Sequence, residues 1–544
     1  MKIKLTHAPD LLLLAGVIFL LFSKGLTDPE IGWPDADRIL MDGLFLHDLL
    51  RDLTPATLLS GDPVQALFQY AQRYYAQYPA LSLGSRPPFF PLMEALFFLL
   101  FGVHDLSGRL CVLFFALIGA AAWYDLIRRS FDRATALLAS GLLFTTPFIV
   151  QWGWYNMLEL PVLAMSLLTA NFFWRYTDSG QTRWLYGTVI AFALTLWTKQ
   201  TAIFMALWFL PWLLITGHWR TLFARRASWG AILLLLALTL PLGWLTIALS
   251  KMNLSMTLQG LDPTLRELGL TDWAYLRIYL DLLIEHQVTW PLLMLAAAGA
   301  GAALWRRDKR VLFYLLLILA TYLFFTAIRS YRYDRLTLFW VPGFALLAAL
   351  PAHYLNRWPA FAGIALVIAW QAHAGHLATP AFSRGYLEAA RSAIQHSRQG
   401  MIFMDGFNNG YFTYYVRLND PQRRMHVLRG DKLLHSSSVF ADTWRKVHVT
   451  RLEEIKTLFD EYGIDIAVVE ERNYTDLPIH QVLRDFLQSD AFERIRTIPV
   501  ASTRSALRGQ SLLVYRYKDA RPRTKREMTL AVPIVGQTLR VSEK

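Results

Sequence analysis

A small set of charged residues in this chain stands where an apolar environment makes charge expensive. Asp35, Asp37, Arg38 and Asp42 crowd a polar loop, 27–109, between the first two apolar stretches. The same loop carries Gly84-Ser85-Arg86-Pro87-Pro88. Further on, Glu159 opens an apolar stretch, Lys199 sits between two others, and Arg329, Arg332 and Arg335 fall close together. A carboxylate can take a proton from a nucleophile or hold a hard cation. A guanidinium offers a planar fork of donors that matches phosphate. A pure anchor needs none of these groups, so the pattern points to chemistry at a membrane surface on a substrate that is itself a lipid.

Each residue also has a plainer reading. Asp35 or Asp37 can cap the helix that follows, since Asp is a favoured N-cap. Arg86 can snorkel as an interfacial anchor. Glu159 can be an exposed interfacial acid, and Arg332 and Arg335 can touch lipid headgroups. His47, His104 and His286 read as interfacial polar residues rather than metal ligands.

The elements that must position these groups are mostly membrane spans. Of 544 residues, 54% are hydrophobic and only 17% charged, below the roughly 25% of a soluble domain. Apolar runs long enough to cross a bilayer recur, and in lipid they must be helical. We place spans near Leu11–Leu26, Leu110–Ile127, Ala134–Trp152, Leu158–Tyr176, Trp184–Trp197, Ala202–Ile215, Ala231–Leu249, Leu292–Trp305, Val311–Ile328, Leu336–Leu350 and Ala360–Ala374, about eleven in all. The first, flanked by Lys2 and Lys4, reads as a retained signal anchor. Short loops with Arg128-Arg129, Arg175 and Arg183, Arg225-Arg226, and Arg306 to Arg310 fall on one side, which the positive-inside rule makes cytoplasmic. The 27–109 loop, the 250–290 loop and everything after Gly375 then lie outside. The net charge of +13 follows from these orienting loops and needs no nucleic acid. The single cysteine, Cys111, excludes a disulfide framework within the chain.

Inside the first loop, Arg38–Leu53 reads as an amphipathic helix lying flat in the interface. Pro88–Phe101 is apolar but short, and reads as interfacial or re-entrant. After about residue 378, composition changes. Strands are expected at Met401–Met404, His426–Leu428, Ile464–Val469 and Ser511–Arg516, with helices at Glu388–His396, Leu452–Tyr462 and Ile479–Leu487. The alternation argues a small α/β domain, 378–520. It has no glycine-rich nucleotide motif, Asp405 to Gly410 reads as a turn after a strand, and Arg429-Gly430-Asp431 is a chance match. The tail, 521–544, reads as basic and irregular.

The order of features resembles the polytopic C-type glycosyltransferases, in the branch of protein O-mannosyltransferases and aminoarabinose–lipid A transferases. The residues that carry it are Asp35-Ala36-Asp37-Arg38-Ile39 in the first outer loop and Arg86-Pro87-Pro88 through Phe101-Gly102, followed by Ser107-Gly108-Arg109. Met157-Leu158-Glu159-Leu160-Pro161, Thr198-Lys199-Gln200-Thr201 and Arg335 through Pro342 follow in order. The likeness covers roughly Met1 to Leu350. It departs at Ala36, where the family pairs a second acid with the first, at Ser85, and at Glu159, where aspartate is common.

The resemblance implies a GT-C-like multi-pass helical fold, 1–377, in the inner (plasma) membrane, with the α/β domain periplasmic or otherwise extracytoplasmic. It implies transfer of a sugar from a polyprenyl-phosphate-linked donor to a lipid, glycan or protein acceptor, in an inverting single displacement. Asp35 becomes the general base and Glu159 a second acid or acceptor-orienting group. Arg86, Lys199, Arg332 and Arg335 become contacts to the donor phosphate, with Asp37 and Arg38 in support. No cofactor is expected; a divalent metal on Asp35, Asp37 and Glu159 is the alternative, and no ligand spacing supports it. A transporter or a non-catalytic envelope-assembly protein are the competing readings. A transporter would place polar groups at mid-membrane between internal repeats, and neither is visible here.

Overall fold

In the computed structural model, described residues are 7–33, 35–53, 62–82, 86–249, 268–269, 271–328, 332–355, 357–438, 441–525, 527–532 and 537–542. Lys2, Lys4, Gly84, Ser85, Arg329 and all of 250–267 lie outside them.

Helices occupy each of the eleven positions where spans are expected. Among the described residues, four are long and apolar enough to cross a membrane alone: Asp105–Ser130, Arg226–Ala248, Asp334–Tyr354 and Trp358–Leu377. The number rises to as many as seven if each bent pair counts as one span. One such pair, Arg133–Thr145 and Pro147–Trp154, turns by 60° at Thr146. Pro147 removes a backbone donor there and favours the break. Small residues let helices meet closely. A Cβ at Gly299, in Trp290–Arg306, would lie 1.8 Å from the Leu347 carbonyl in Val341–Tyr354.

The chain then builds a six-stranded mixed sheet. Its strands are β1 (Ser383–Arg384), β2 (Met401–Asp405), β3 (His426–Arg429), β6 (Ile466–Glu470), β7 (Phe492–Ser502) and β8 (Gln510–Tyr517), in the order β1-β7-β8-β6-β2-β3. A short hairpin, β4 (His435–Ser438) and β5 (Ala441–Val447), lies outside it. Strands β3, β2 and β6 are parallel. β2 and β6 are buried along their whole length, as parallel strands covered on both faces must be. Helices Tyr386–His396, Asn409–Asn419, Leu452–Tyr462 and Ile479–Leu487 accompany the sheet. Sequence reading misses Asn409–Asn419, β7 and β4–β5.

Three expectations are corrected. The Ala36–Asp52 helix does not lie flat with a wet polar face. Asp37, Asp42, His47 and Asp48 are all buried: the α/β domain covers Asp37 and Asp48, while Ser82 meets Asp42 and Phe98 packs on His47. Arg417 donates to both Asp48 oxygens at 2.7 Å, and Arg423 reaches Asp52 at 2.8 Å. The first loop also holds a second helix, Pro63–Gln77, whose Asp62 cap accepts from Val64 N at 2.9 Å. Finally, the tail is not irregular: β9 (Glu527–Val532) and β10 (Gln537–Ser542) form an antiparallel hairpin.

The first loop and the α/β domain are joined by backbone as well. Ile31 bridges Phe382, Gly32 N donates to Ala381 O at 3.1 Å, and Ser383 N donates to Glu30 O at 3.1 Å. The Glu30 carboxylate accepts from Gly385 N and Leu387 N at 3.0 and 2.8 Å, at the start of the Tyr386–His396 helix.

Candidate active site

Asp35 stands at the N-cap position of Ala36–Asp52, yet its side chain caps nothing. Its carboxylate instead faces two guanidinium groups. Arg86 Nη2 is 3.6 Å from Oδ1, and Arg335 Nη2 donates to Oδ2 at 3.1 Å. The same Arg335 brings Nε to 3.8 Å from Glu159 Oε1, and Lys199 Nζ donates to that oxygen at 3.0 Å. Asp35, Arg86, Glu159, Lys199 and Arg335, with Tyr333, Met157 and Leu336, line a cavity of about 190 Å3. Thus residues from five parts of the sequence converge.

Each arrives for a local reason. Asp35 follows a segment, 25–31, whose backbone is gathered by Arg109. That guanidinium donates to the carbonyls of Gly25, Leu26, Asp28 and Ile31, the last three at 3.1, 2.7 and 3.1 Å. Arg86 precedes the rigid Pro87-Pro88 pair. Its own N–H donates to Ser82 O at 3.3 Å, and Ser82 N in turn donates to Asp42 at 2.7 Å. Glu159 begins the Glu159–Ser179 helix, where the helix dipole favours a carboxylate; it is 2% exposed. Lys199 ends Thr182–Thr198, where the chain tightens into a 3-10 turn, Gln200–Phe204. Arg335 sits on another 3-10 turn, Asp334–Trp340. Gln287 fixes that turn by donating to Thr337 Oγ1 at 2.8 Å and to the Asp334 carbonyl.

Three cations surround two carboxylates, so the cavity carries an excess of positive charge. Burial raises the Asp35 carboxyl, but Arg86, Arg335 and Arg38 outweigh it and hold it down at about 2. It is ionised at any physiological pH. Donors remain to spare: Nη1 of Arg86 and both Nη1 and Nε of Arg335 are buried with no hydrogen-bond partner. Buried donors rarely go unmet in a finished structure. They outline a place for an oxyanion. A divalent cation fits this donor set poorly, because both carboxylates are already matched by fixed cations.

Other candidates lie elsewhere. Arg332 donates to the carbonyls of Phe325 and Thr326, the latter at 3.0 Å, at the end of Val311–Ala327. It also stacks over Tyr275 and Tyr279 at 4.4 and 4.7 Å. It ties down a helix terminus, where cations are favoured. Asp37 faces away, against Gly410 of the α/β domain, where a Cβ would lie 1.7 Å from its Oδ2. Burial pushes its carboxyl up to about 6, against the pull of Arg38. Arg38 acts on both aspartates through its charge and is not part of the cavity wall. His104 caps Asp105–Ser130, His47 bonds Asp48 at 3.0 Å, and His286 is half-exposed beside Glu285. Arg109 is the residue that sequence reasoning quoted without giving it a role; its place in Ser107-Gly108-Arg109 was the available signal.

An apolar groove of about 400 Å3 is lined by Pro88, Phe89, Ile190, Leu194, Trp197 and Leu238 among others. Pro88 and Phe89 follow Arg86 closely in the chain, and Trp197 precedes Lys199 by one turn's reach.

With this geometry in hand, likeness to known proteins becomes informative. Residues 85–244 match the family described as dolichyl-phosphate-mannose-protein mannosyltransferase, a segment holding Arg86, Glu159 and Lys199. No curated protein sequence matches the chain. Among solved structures, ArnT from Cupriavidus metallidurans bound to undecaprenyl phosphate is 15% identical with a TM-score of 0.58, over 92% of this chain and 97% of that one. The Archaeoglobus fulgidus oligosaccharyltransferase in its apo form is 11% identical with a TM-score of 0.51, over 94% and 76%. Arabinofuranosyltransferase AftD from Mycobacteria is 14% identical with a TM-score of 0.50, over 96% and 41%. At these identities the structures speak for the fold alone, and the family match covers less than a third of the chain. Taken together, the chain shares the fold of these solved structures, and its residues 85–244 resemble the protein mannosyltransferase family.

Proposed function

We propose that the protein moves a sugar from a polyprenyl-phosphate-linked donor to a hydroxyl or amine of a lipid, glycan or protein acceptor, at the outer face of the membrane. The carrying observation is the set of unmet guanidinium donors of Arg86 and Arg335 around the Asp35 carboxylate. The donor phosphate takes those donors, with Lys199 beside them, and the apolar groove takes the first isoprene units. That one solved relative was captured with undecaprenyl phosphate is consistent with such an occupant.

The reaction is a single displacement. The acceptor oxygen or nitrogen forms a bond to the anomeric carbon while the bond from that carbon to the phosphate oxygen breaks. The electron pair leaves with the phosphate, and the acceptor proton passes to Asp35. A phosphate leaves without a strong acid. Asp35 held at about 2 is a weak base while Arg86 and Arg335 face it. Once those guanidiniums turn their charge to the phosphate, the carboxylate becomes more basic, so donor binding arms the base. Glu159, paired with Lys199, keeps that cation in place. The charged groups lie at helix ends, which suits transfer at a surface better than passage through the membrane. The test is transfer of label from polyprenyl-linked sugars to endogenous acceptors in membranes containing the protein. Absence of transfer from every carrier and sugar offered, with normal insertion, overturns the reading.

A further inference from the structure

We infer that the α/β domain holds a divalent transition-metal ion, of the zinc class, on His435 and His480, with the Asp405 carboxylate orienting His480 from behind. One nitrogen from each imidazole and one carboxylate oxygen lie within 4.8 Å of one another, and all three residues are buried. Both histidines are 0% exposed. They come from separate elements: Asp405 ends β2, His435 begins β4, and His480 lies in Ile479–Leu487. The place is the rim where parallel strands β2, β3 and β6 end. In open α/β sheets, ligands characteristically sit beyond those carboxyl ends.

The hydrogen bonds fix which ring atoms are free. Asp405 Oδ2 is 2.9 Å from His480 Nδ1. A carboxylate only accepts, so Nδ1 carries the proton and Nε2 is a bare lone pair. Tyr474 donates its hydroxyl to Asp405 Oδ1 at 3.4 Å. The tyrosine oxygen must then accept from His435 Nε2, 3.1 Å away, which leaves His435 Nδ1 as a second bare lone pair. Neither His480 Nε2 nor His435 Nδ1 has any partner, and both are shut off from water. Two buried imidazole lone pairs with no donor are what a metal needs and what a hydrogen-bond network leaves unexplained. A histidine ligand whose other nitrogen donates to a carboxylate is the usual arrangement around zinc. Two imidazole ligands favour zinc or iron(II) over magnesium or calcium, which take oxygen ligands. The nearby Arg429 does not oppose the charge, since Asp431 binds it at 2.6 and 2.8 Å.

The ion would pin the 405–410 segment, whose Gly410 abuts Asp37, two residues from Asp35. This places a structural metal in the domain that covers the first loop, separate from the membrane-end cavity.

The experiment uses the full chain in detergent, stripped with chelator and reloaded with Zn2+ or Co2+. We expect about one tightly held ion per chain, a visible d–d band with Co2+, and a raised unfolding midpoint with Zn2+. His435→Asn with His480→Asn should abolish the band, whereas Asp35→Asn with Glu159→Gln should keep it. X-ray absorption of the zinc-loaded wild-type chain, which needs no variant to fold, should show two imidazoles. Failure of the wild-type chain to retain an ion, an all-oxygen shell, or a band lost only in the Asp35 and Glu159 pair would each overturn the inference.

Discussion

Two charged regions flank the Ala36–Asp52 helix, and they are built from the same residue types to opposite ends. At its start, Asp35 meets Arg86 and Arg335, which keep buried donors without a protein partner. Along its body, Asp48 meets Arg417, and there the pairing is complete: three bonds from Arg417, one from Tyr74 at 2.8 Å and one from His47 at 3.0 Å. The first arrangement waits for an anion; the second is finished and holds two domains together. Surplus donors, more than charge itself, separate a binding site from a seam.

The contrast can be broken at either end. The largest effect is expected at Asp35. Because its side chain caps nothing, Asp35→Asn should insert normally and lose about 10²–10⁴ in turnover, the usual worth of a general base. Near-normal label transfer would hand the role to Glu159. In the seam, Arg417→Ala should destabilise by about 3–5 kcal/mol, as when one partner of a buried pair is removed. Thermal unfolding would read this, with the donor KM of the surviving folded protein little changed.

Asp37 tests the seam differently, because it is a buried carboxyl with Oδ1 unmet. Its folded pKa, about 6, lies above the unfolded 3.8. The folded state therefore binds more protons between these values, and stability falls as pH rises through that window. Asp37→Asn should remove the penalty, up to about 3 kcal/mol at pH 8 at 1.36 kcal/mol per pKa unit, and gain nothing near pH 3.5. Equal gains at both pH values would mean that the carboxyl is not strained. Back in the cavity, Arg86→Ala should weaken donor binding by about 1.5–3 kcal/mol, the range for hydrogen bonds to charged groups, read as donor KM. The smallest effect is expected for Arg332→Ala, whose guanidinium serves carbonyls and tyrosine rings. A donor KM raised as far as that of Arg86→Ala would return Arg332 to the site.

Much of this was legible in the chain. The apolar runs follow from their length and hydropathy, and the helices at Leu452–Tyr462 and Ile479–Leu487 from periodicity, since each of these two buries one consistent face. The charges of Arg86, Glu159, Lys199 and Arg335 stand out because apolar surroundings penalise them. What could not be read was direction. Arg332 and Arg335 are three residues apart, yet one turns to helix carbonyls and the other to the cavity, a choice made by Gln287 and the 3-10 turn. Likewise the polar face of Ala36–Asp52 looks wet until Arg417 and Arg423, far along the chain, are seen to cover it. The Asp405, His435 and His480 cluster has no spacing signature, because three separate elements of the sheet domain assemble it.

The Asp48–Arg417 contact spans 369 residues of sequence, and this imposes an order in time. At about 5–20 residues per second of synthesis, the acidic helix waits on the order of 20–70 s for its partner to be made. Until then Asp37 and Asp48 lack their cover, and the loop that presents Asp35 is braced by Arg109 but lacks the bonds it makes to residues 381–387. The nascent protein therefore passes through a long stage in which it is anchored but unfinished. Under the proposed function, competence comes with the final domain, and a prematurely terminated chain is expected to transfer no sugar.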